Sequence, residues 1–232
     1  MAKDKLSLAA WIEESEKKGI SLRETLIANN AEAMGVEPQV LLDEMADMLK
    51  VMRASIDYGL TGVRSRSKLT GGSAKKLFEA KQSNNYANLL GSTVSDAVIF
   101  SLAVAEANAA MGRIVAAPTA GASGVLPGML FSLQKNYALS EKDLAAGLVV
   151  AGSIGLVIAN RSSLSGAMGG CQAETGSAAA MAAGAAVDML GGTPEQVGHA
   201  VAMTIKNMLG LVCDPVAGLV EVPCIKRNAG AV

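Results

Sequence analysis

Polar and apolar positions keep helical time through the first quarter of the chain and then almost stop alternating. Ser21 and Glu24 have the spacing of a capping box, opening a helix that Gly35 can close. Pro38 follows where a first helical turn accepts proline, and Val40, Leu41, Met45, Met48, Leu49, Met52 and Ile56 recur three and four apart. This spacing predicts a helix that stops at Tyr58-Gly59, with its methionines in a core-facing stripe. Residues 1–60 thus read as an amphipathic helical layer.

From about Asn88 onward the chain reads as buried helices separated by small-residue loops at 118–128, 163–170 and 213–224. No alternating Val/Ile/Thr run is long enough to make strands the main theme, and no repeat recurs at a fixed period. The expected fold is all-α: one compact domain of Gly/Ala-rich helices over 61–232, covered by the 1–60 layer. The charges agree. Residues 1–60 carry 18 of the 41 charged residues, whereas 91–232 carry 16 of them and 19 of the 25 glycines.

A chain of 232 residues can bury a full core, and 50% hydrophobic with 18% charged residues excludes disorder as the main state. A net charge of −1 and only seven aromatic residues argue against a nucleic-acid partner. The 17 uncharged residues between Asp143 and Arg161 raise the question of a membrane span. They are rich in Gly and Ser and lack aromatic belts, which predicts the buried centre of a cytoplasmic protein with no membrane partner. The N-terminus is too charged for a secretory signal.

Residues 61–76 break the pattern. Arg64, Arg66, Lys68, Lys75 and Lys76 meet no acidic residue before Glu79, and Gly71-Gly72 has the makings of a backbone nest for an anion. A solvated loop fits the same residues. Several common sites are absent: no P-loop, no dinucleotide fingerprint and no nucleophile elbow. His199 is the only histidine and sits in an apolar helical pattern, as a partly buried structural histidine would.

Cys171, Cys213 and Cys224 carry more information. Cys171 follows Gly169-Gly170 and precedes an Ala-rich helical stretch, so it falls at a helix start, where the dipole favours a thiolate. Cys213 precedes Asp214-Pro215; Cys224 follows Pro223 and precedes Lys226-Arg227, whose cations would offset an anionic cluster. The spacing leaves three readings open: inert buried thiols, a zinc site with Asp214 as fourth ligand, or an iron–sulfur anchor. An odd count argues against a disulfide framework.

The segments SGAMGGCQAETGSAAAMAAG and LGLVCDPVAGLVEVPCIKRN, with APTAGASGVLPG and LTGGSAKK, resemble the alpha (catalytic) chain of iron–sulfur-dependent L-serine dehydratase. The resemblance runs from about Ser55 to the C-terminus. It implies a [4Fe-4S] cluster held by Cys171, Cys213 and Cys224, with one iron left open to act as Lewis acid on the hydroxyl of L-serine. Pyruvate and ammonia are the products, and no pyridoxal phosphate (PLP) takes part. It also implies a beta chain that carries a regulatory domain and supplies the general base, for which the present sequence offers no Ser-His pair. The substrate carboxylate is expected at Thr70, Gly71, Gly72 and Ser73 or at Thr119, Gly121 and Ser123. Family members usually continue past KRNAGAV with further apolar helices, so the resemblance implies a chain cut short at its C-terminus. Two alternatives stand beside it: a related cysteine desulfidase, and a helical interaction subunit without catalysis.

Overall fold

Side-chain caps set where several of the helices begin. The computed structural model describes residues 6–83 and 88–232, which form α1 (Leu8–Lys18), α2 (Leu22–Met34), α3 (Pro38–Leu60), α4 (Ser73–Gln82), α5 (Gly91–Ala109), α6 (Val125–Tyr137), α7 (Glu141–Arg161), α8 (Gly166–Met189), α9 (Pro194–Met208) and α10 (Glu221–Ala231). The Ser21–Glu24 capping box opens α2 as expected, and Gly35, left-handed at φ 69°, closes it. Ser140 with Asp143 and Thr193 with Gln196 open α7 and α9 in the same way. Among the described residues there is no strand, and the fold is all-α.

Helix α3 ends at Leu60, one residue past its expected stop at Tyr58-Gly59. Gly59 lies inside the helix, buried, because α5 passes against it: a Cβ there would sit 2.0 Å from the carbonyl oxygen of Ala103. Glycine serves close helix approach at this point and does not end the helix. The apolar stripe is also narrower than its spacing suggests. Leu41, Leu49, Met52 and Ile56 are buried, but Val40 and Met48 face outward.

Helices α5, α6, α7 and α8 form the centre, with α3 laid on α5 and α7, and α9 on α8. Helix α7 is long and apolar enough, by length and composition, to cross a membrane, but 61% of its most apolar window is buried within the protein. Leu144, Val150, Ala151 and Ile154 supply that buried surface, and α8 comes so close that a Cβ on Gly184 would meet Ile154 at 2.3 Å. Burying each leucine, valine or isoleucine side chain there contributes about 1.5–3 kcal/mol before chain entropy is counted.

Two polar ties lock the layers. Arg23 on α2 donates Nε to Asp188 at the end of α8 (2.8 Å) and Nη1 to Asp143 at the start of α7 (3.3 Å). The buried Asp96 of α5 accepts Lys81 from α4 at 2.7 Å and Lys135 from α6 at 3.0 Å.

Candidate functional site

A glycine in a conformation closed to other residues brings the first two cysteines together. Gly170 adopts φ 74° and ψ −175°, so α8 is broken there and its long segment restarts at Cys171. The strand of chain that carries Cys213 crosses at this break: a Cβ on Gly170 would lie 2.9 Å from the Leu211 carbonyl and 3.2 Å from the Val212 Cα. Two hydrogen bonds seal the crossing, Gln172 N–H to the Leu211 carbonyl and Gly210 N–H to the Gln172 Oε1, both at 2.9 Å. Cys224 occupies the first turn of α10. The cysteines thus sit at two helix starts and on one loop, with Cys171 at a helix start as expected.

Asn228, fully buried one turn later on α10, fixes that helix to the other wall of the site. Its Oδ1 accepts the Gly124 N–H at 2.8 Å, while its Nδ2 donates to the carbonyls of Gly121 (2.6 Å) and Cys224 (2.8 Å). Between these walls opens a cavity of about 620 Å³, lined by Thr119, Gly121, Glu174, Cys213, Glu221 and Cys224 among others. Cys171 is buried beside it and feels the charge of Cys213, as Cys224 feels both.

The electrostatics correct the thiolate expected at the helix start. Burial is the largest influence on Cys171 and pushes its thiol up; Arg227 opposes this, and Cys213, Glu174 and Asp214 add to it. Burial likewise pushes the Cys224 thiol up to about 12, with Glu174 and the other two cysteines reinforcing it. A metal bound by thiols displaces their protons, so any metal would compete with protons at these groups.

Among the described residues, no three His, Cys, Asp or Glu side chains lie close enough to grip a metal ion. The donor set nevertheless suits an iron–sulfur cluster: two soft thiols line the cavity and a third, Cys171, is buried within electrostatic reach of both, and a cluster is broader than a single ion, so its thiolates stand farther apart.

Two carboxylates in the cavity were not singled out by the sequence. Glu174 sits one turn beyond Cys171 and accepts the Thr119 hydroxyl. It occupies space that only glycine leaves open, since a Cβ on Gly121 or Gly166 would come within 2.6 and 2.8 Å of its oxygens. Glu221 accepts the hydroxyls of Ser67 and, at 3.1 Å, Thr70; the Ser67 bond holds its carboxyl below the usual range. The available signal was helical phase alone: Glu174 and Glu221 each lie three residues from a cysteine on the same helix.

The nest at Gly71-Gly72 does hold an anion, and that anion belongs to the protein. Glu106, buried on α5, accepts the N–H groups of Gly72 (3.0 Å), Ser73 (2.8 Å) and Ala74 (3.3 Å). Gly71 pairs with Arg64 in an isolated bridge. Thr119 and Gly121 line the cavity, whereas Ser123 is fully buried and its hydroxyl has no hydrogen-bond partner among the described residues. His199 is exposed on α9 beside Glu195, at 3.5 Å, and not partly buried as its apolar pattern suggested. Lys226 is exposed, but Arg227 turns inward: its Nη2 donates to Asp214 at 3.0 Å.

Residues 17–232 match the profile of a family described as "Serine dehydratase alpha chain". The chain is 49% identical over 218 residues to "Probable L-serine dehydratase, alpha chain" of Bacillus subtilis (strain 168), covering 94% of this chain and 72% of that protein. It is 39% identical over 222 residues to "L-serine dehydratase, alpha chain" of Peptoniphilus asaccharolyticus, covering 95% and 75%. With "L-serine dehydratase" of Streptomyces coelicolor it shares 37% identity over 222 residues, covering 94% of this chain but 48% of that longer protein.

Proposed function

Because the chain belongs to the serine dehydratase alpha chain family, we propose that it is the catalytic chain of an enzyme converting L-serine to pyruvate and ammonia, with Cys171, Cys213 and Cys224 holding a [4Fe-4S] cluster. The observation that carries this reading is convergence: Cys213 and Cys224 line one cavity, and Cys171, 42 positions before Cys213 in sequence, is buried within electrostatic reach of both. When bound, such a cluster supplies an iron with an open position, a Lewis acid for the departure of the serine hydroxyl.

The chain's own residues bind and orient the substrate. Glu174, aimed by the Thr119 hydroxyl, faces the cavity with a negative charge suited to the α-ammonium of serine. The backbone at Thr119 and Gly121 is left for the substrate carboxylate, since the amides of Gly72 and Ser73 are taken by Glu106. Ala105, Val220 and Ile225 give the cavity an apolar lining that limits water beside the reacting centre.

No histidine lines this cavity among the described residues. We assign removal of the α-proton to a partner beta chain, which also carries the regulatory domain; the words "alpha chain" in the names of two relatives support a second chain. The Streptomyces protein, twice as long, fits the same division of labour within one polypeptide.

The test is anaerobic reconstitution with ferrous iron and sulfide, followed by an iron and sulfide count and a pyruvate assay with and without the beta chain. The expected result is uptake of both elements, loss of uptake in Cys171→Ser, Cys213→Ser and Cys224→Ser, and serine turnover only when the beta chain is added. Full turnover by chain stripped of iron overturns the cluster reading. Full turnover by the loaded chain alone places the base within these residues.

A further inference from the structure

Arg227 brings a positive charge to the cysteine segments. It lies three residues beyond Cys224 on α10, and its Nη2 donates to Asp214, the neighbour of Cys213. A single guanidinium therefore ties two of the three cysteine segments. Its other terminal nitrogen, Nη1, is buried and meets no hydrogen-bond partner among the described residues. A buried charged N–H is costly to leave unmet, so such an atom marks a place where an acceptor belongs.

The charges around it narrow the acceptor's nature. Arg227 lies one helical turn from Cys224 on the same face of α10, whereas Lys226 is turned to solvent, so Arg227 is the cation this helix presents on its cysteine side. A four-iron cluster bound by three thiolates carries net negative charge, concentrated on its sulfurs, which accept N–H hydrogen bonds. We propose that Arg227 is the counter-charge of that cluster, with Nη1 donating to one of its sulfurs while Nη2 stays clamped to Asp214. The inference rests on the cluster reading above. Arginine suits the role because its planar fork serves two acceptors at once and never loses its proton. A lysine would keep the charge and lose the fork.

The proposal predicts two measurable effects. A nearby cation stabilises the more negative, reduced cluster, so removing it shifts the midpoint potential downward. It also offsets the negative charge that the loaded site gathers, so removing it weakens loading. The experiment uses the full chain reconstituted anaerobically as wild type, Arg227→Gln, Arg227→Lys and Asp214→Asn. Iron and sulfide content, the cluster's midpoint potential and the far-ultraviolet circular dichroism are read in each. Arg227→Gln should load several-fold less cluster and titrate at a more negative potential, with its helical signal intact. Arg227→Lys should recover much of both, and Asp214→Asn, which weakens the clamp and removes a neighbouring negative charge but keeps the cation, should titrate at or above the wild-type potential.

If Arg227→Gln loads and titrates as wild type does, the inference falls. It falls too if Arg227→Lys fails as Arg227→Gln does while Asp214→Asn reproduces the loss, because the clamp alone then accounts for the residue. If Arg227→Gln loses its helical signal, the comparison of Arg227→Lys with Asp214→Asn decides. Wild-type chain that takes up no iron and sulfide overturns the cluster reading and this inference with it, whereas a loaded wild type beside an unaffected Arg227→Gln overturns the inference alone.

Discussion

Asn228 reaches across 104 positions of sequence to accept the backbone N–H of Gly124 at 2.8 Å. The same side chain returns its amide hydrogens to Gly121 and to Cys224, so one buried residue holds a cysteine-bearing helix against the cavity wall. Asn228→Ala strands one donor and takes a partner from two acceptors, at about 1–3 kcal/mol for each buried group left without a partner. Urea unfolding should show a loss of at least that size. The loaded variant should also release iron faster under a chelator, because Cys224 loses its support. Wild-type iron retention in a destabilised variant would show that Asn228 serves the fold and leaves the site untouched.

Glu106 plays the corresponding part for the 64–72 loop. Its carboxylate accepts three successive N–H groups at the start of α4, and the loop it anchors presents Ser67 and Thr70 to Glu221 at the cavity. Glu106→Ala should therefore free the loop as well as cost stability, by about 3 kcal/mol or more for a buried charge-assisted network. Hydrogen exchange reads this directly. Amides of Gly72, Ser73 and Ala74 should lose protection by orders of magnitude more than those of α7. Equal protection in the variant would mean that the loop is held by other contacts.

Local chemistry was legible in the sequence, and tertiary approach was not. The Ser21–Glu24 box, the Gly35 stop, Pro38 in a first turn and the helix start at Cys171 all follow from interactions within a few residues, which a linear pattern contains. Gly59 marked the end of α3 to within a residue, but its packing role was not legible, because that reason lies on another helix, in the carbonyl of Ala103. The glycine nest was recognisable as an anion site, but its occupant, Glu106, sits more than thirty residues away in a run that reads as featureless core. The Cys171 thiol illustrates the same limit: the helix start was visible, whereas the burial that outweighs it is a property of packing.

Acid should unfold the protein partly through Asp96. Burial alone pushes this carboxyl up, but hydrogen bonds from Lys81, Lys135 and Asn136 together outweigh it and hold the group below its ordinary 3.8. A carboxylate with a lowered folded value contributes stability that is complete above the unfolded value and is lost as pH falls through the folded one. Wild-type stability should thus decline below about pH 4, after this group's ordinary value. Asp96→Asn should be less stable at pH 7, by about 1–3 kcal/mol given that Lys135 is half exposed, and the gap should close as acid is added. Urea midpoints of both proteins across pH 2–7 check this. A gap that stays constant with pH would remove Asp96 from the acid transition.

Gly170 offers the sharpest mechanical test of the site. Its φ of 74° with ψ of −175° is a conformation essentially confined to glycine, and the chain bearing Leu211 and Val212 fills the space a Cβ would need. Gly170→Ala therefore meets strain and contact together, costing roughly 1–3 kcal/mol for the backbone alone. The cheapest relief is for the 211–213 segment to move away, which uncovers Cys171. Cys171 is 2% exposed, so in protein stripped of metal by a chelator a thiol reagent should modify it slowly in wild type and many times faster in Gly170→Ala. Gly152→Ala is the control, since a Cβ there meets nothing within 4 Å and alanine is the better helix former; it should leave Cys171 protected and stability equal or higher. Unchanged Cys171 reactivity in a destabilised Gly170→Ala would mean that the strain is relieved within α8, and that Gly170 does not set the meeting of Cys171 with Cys213.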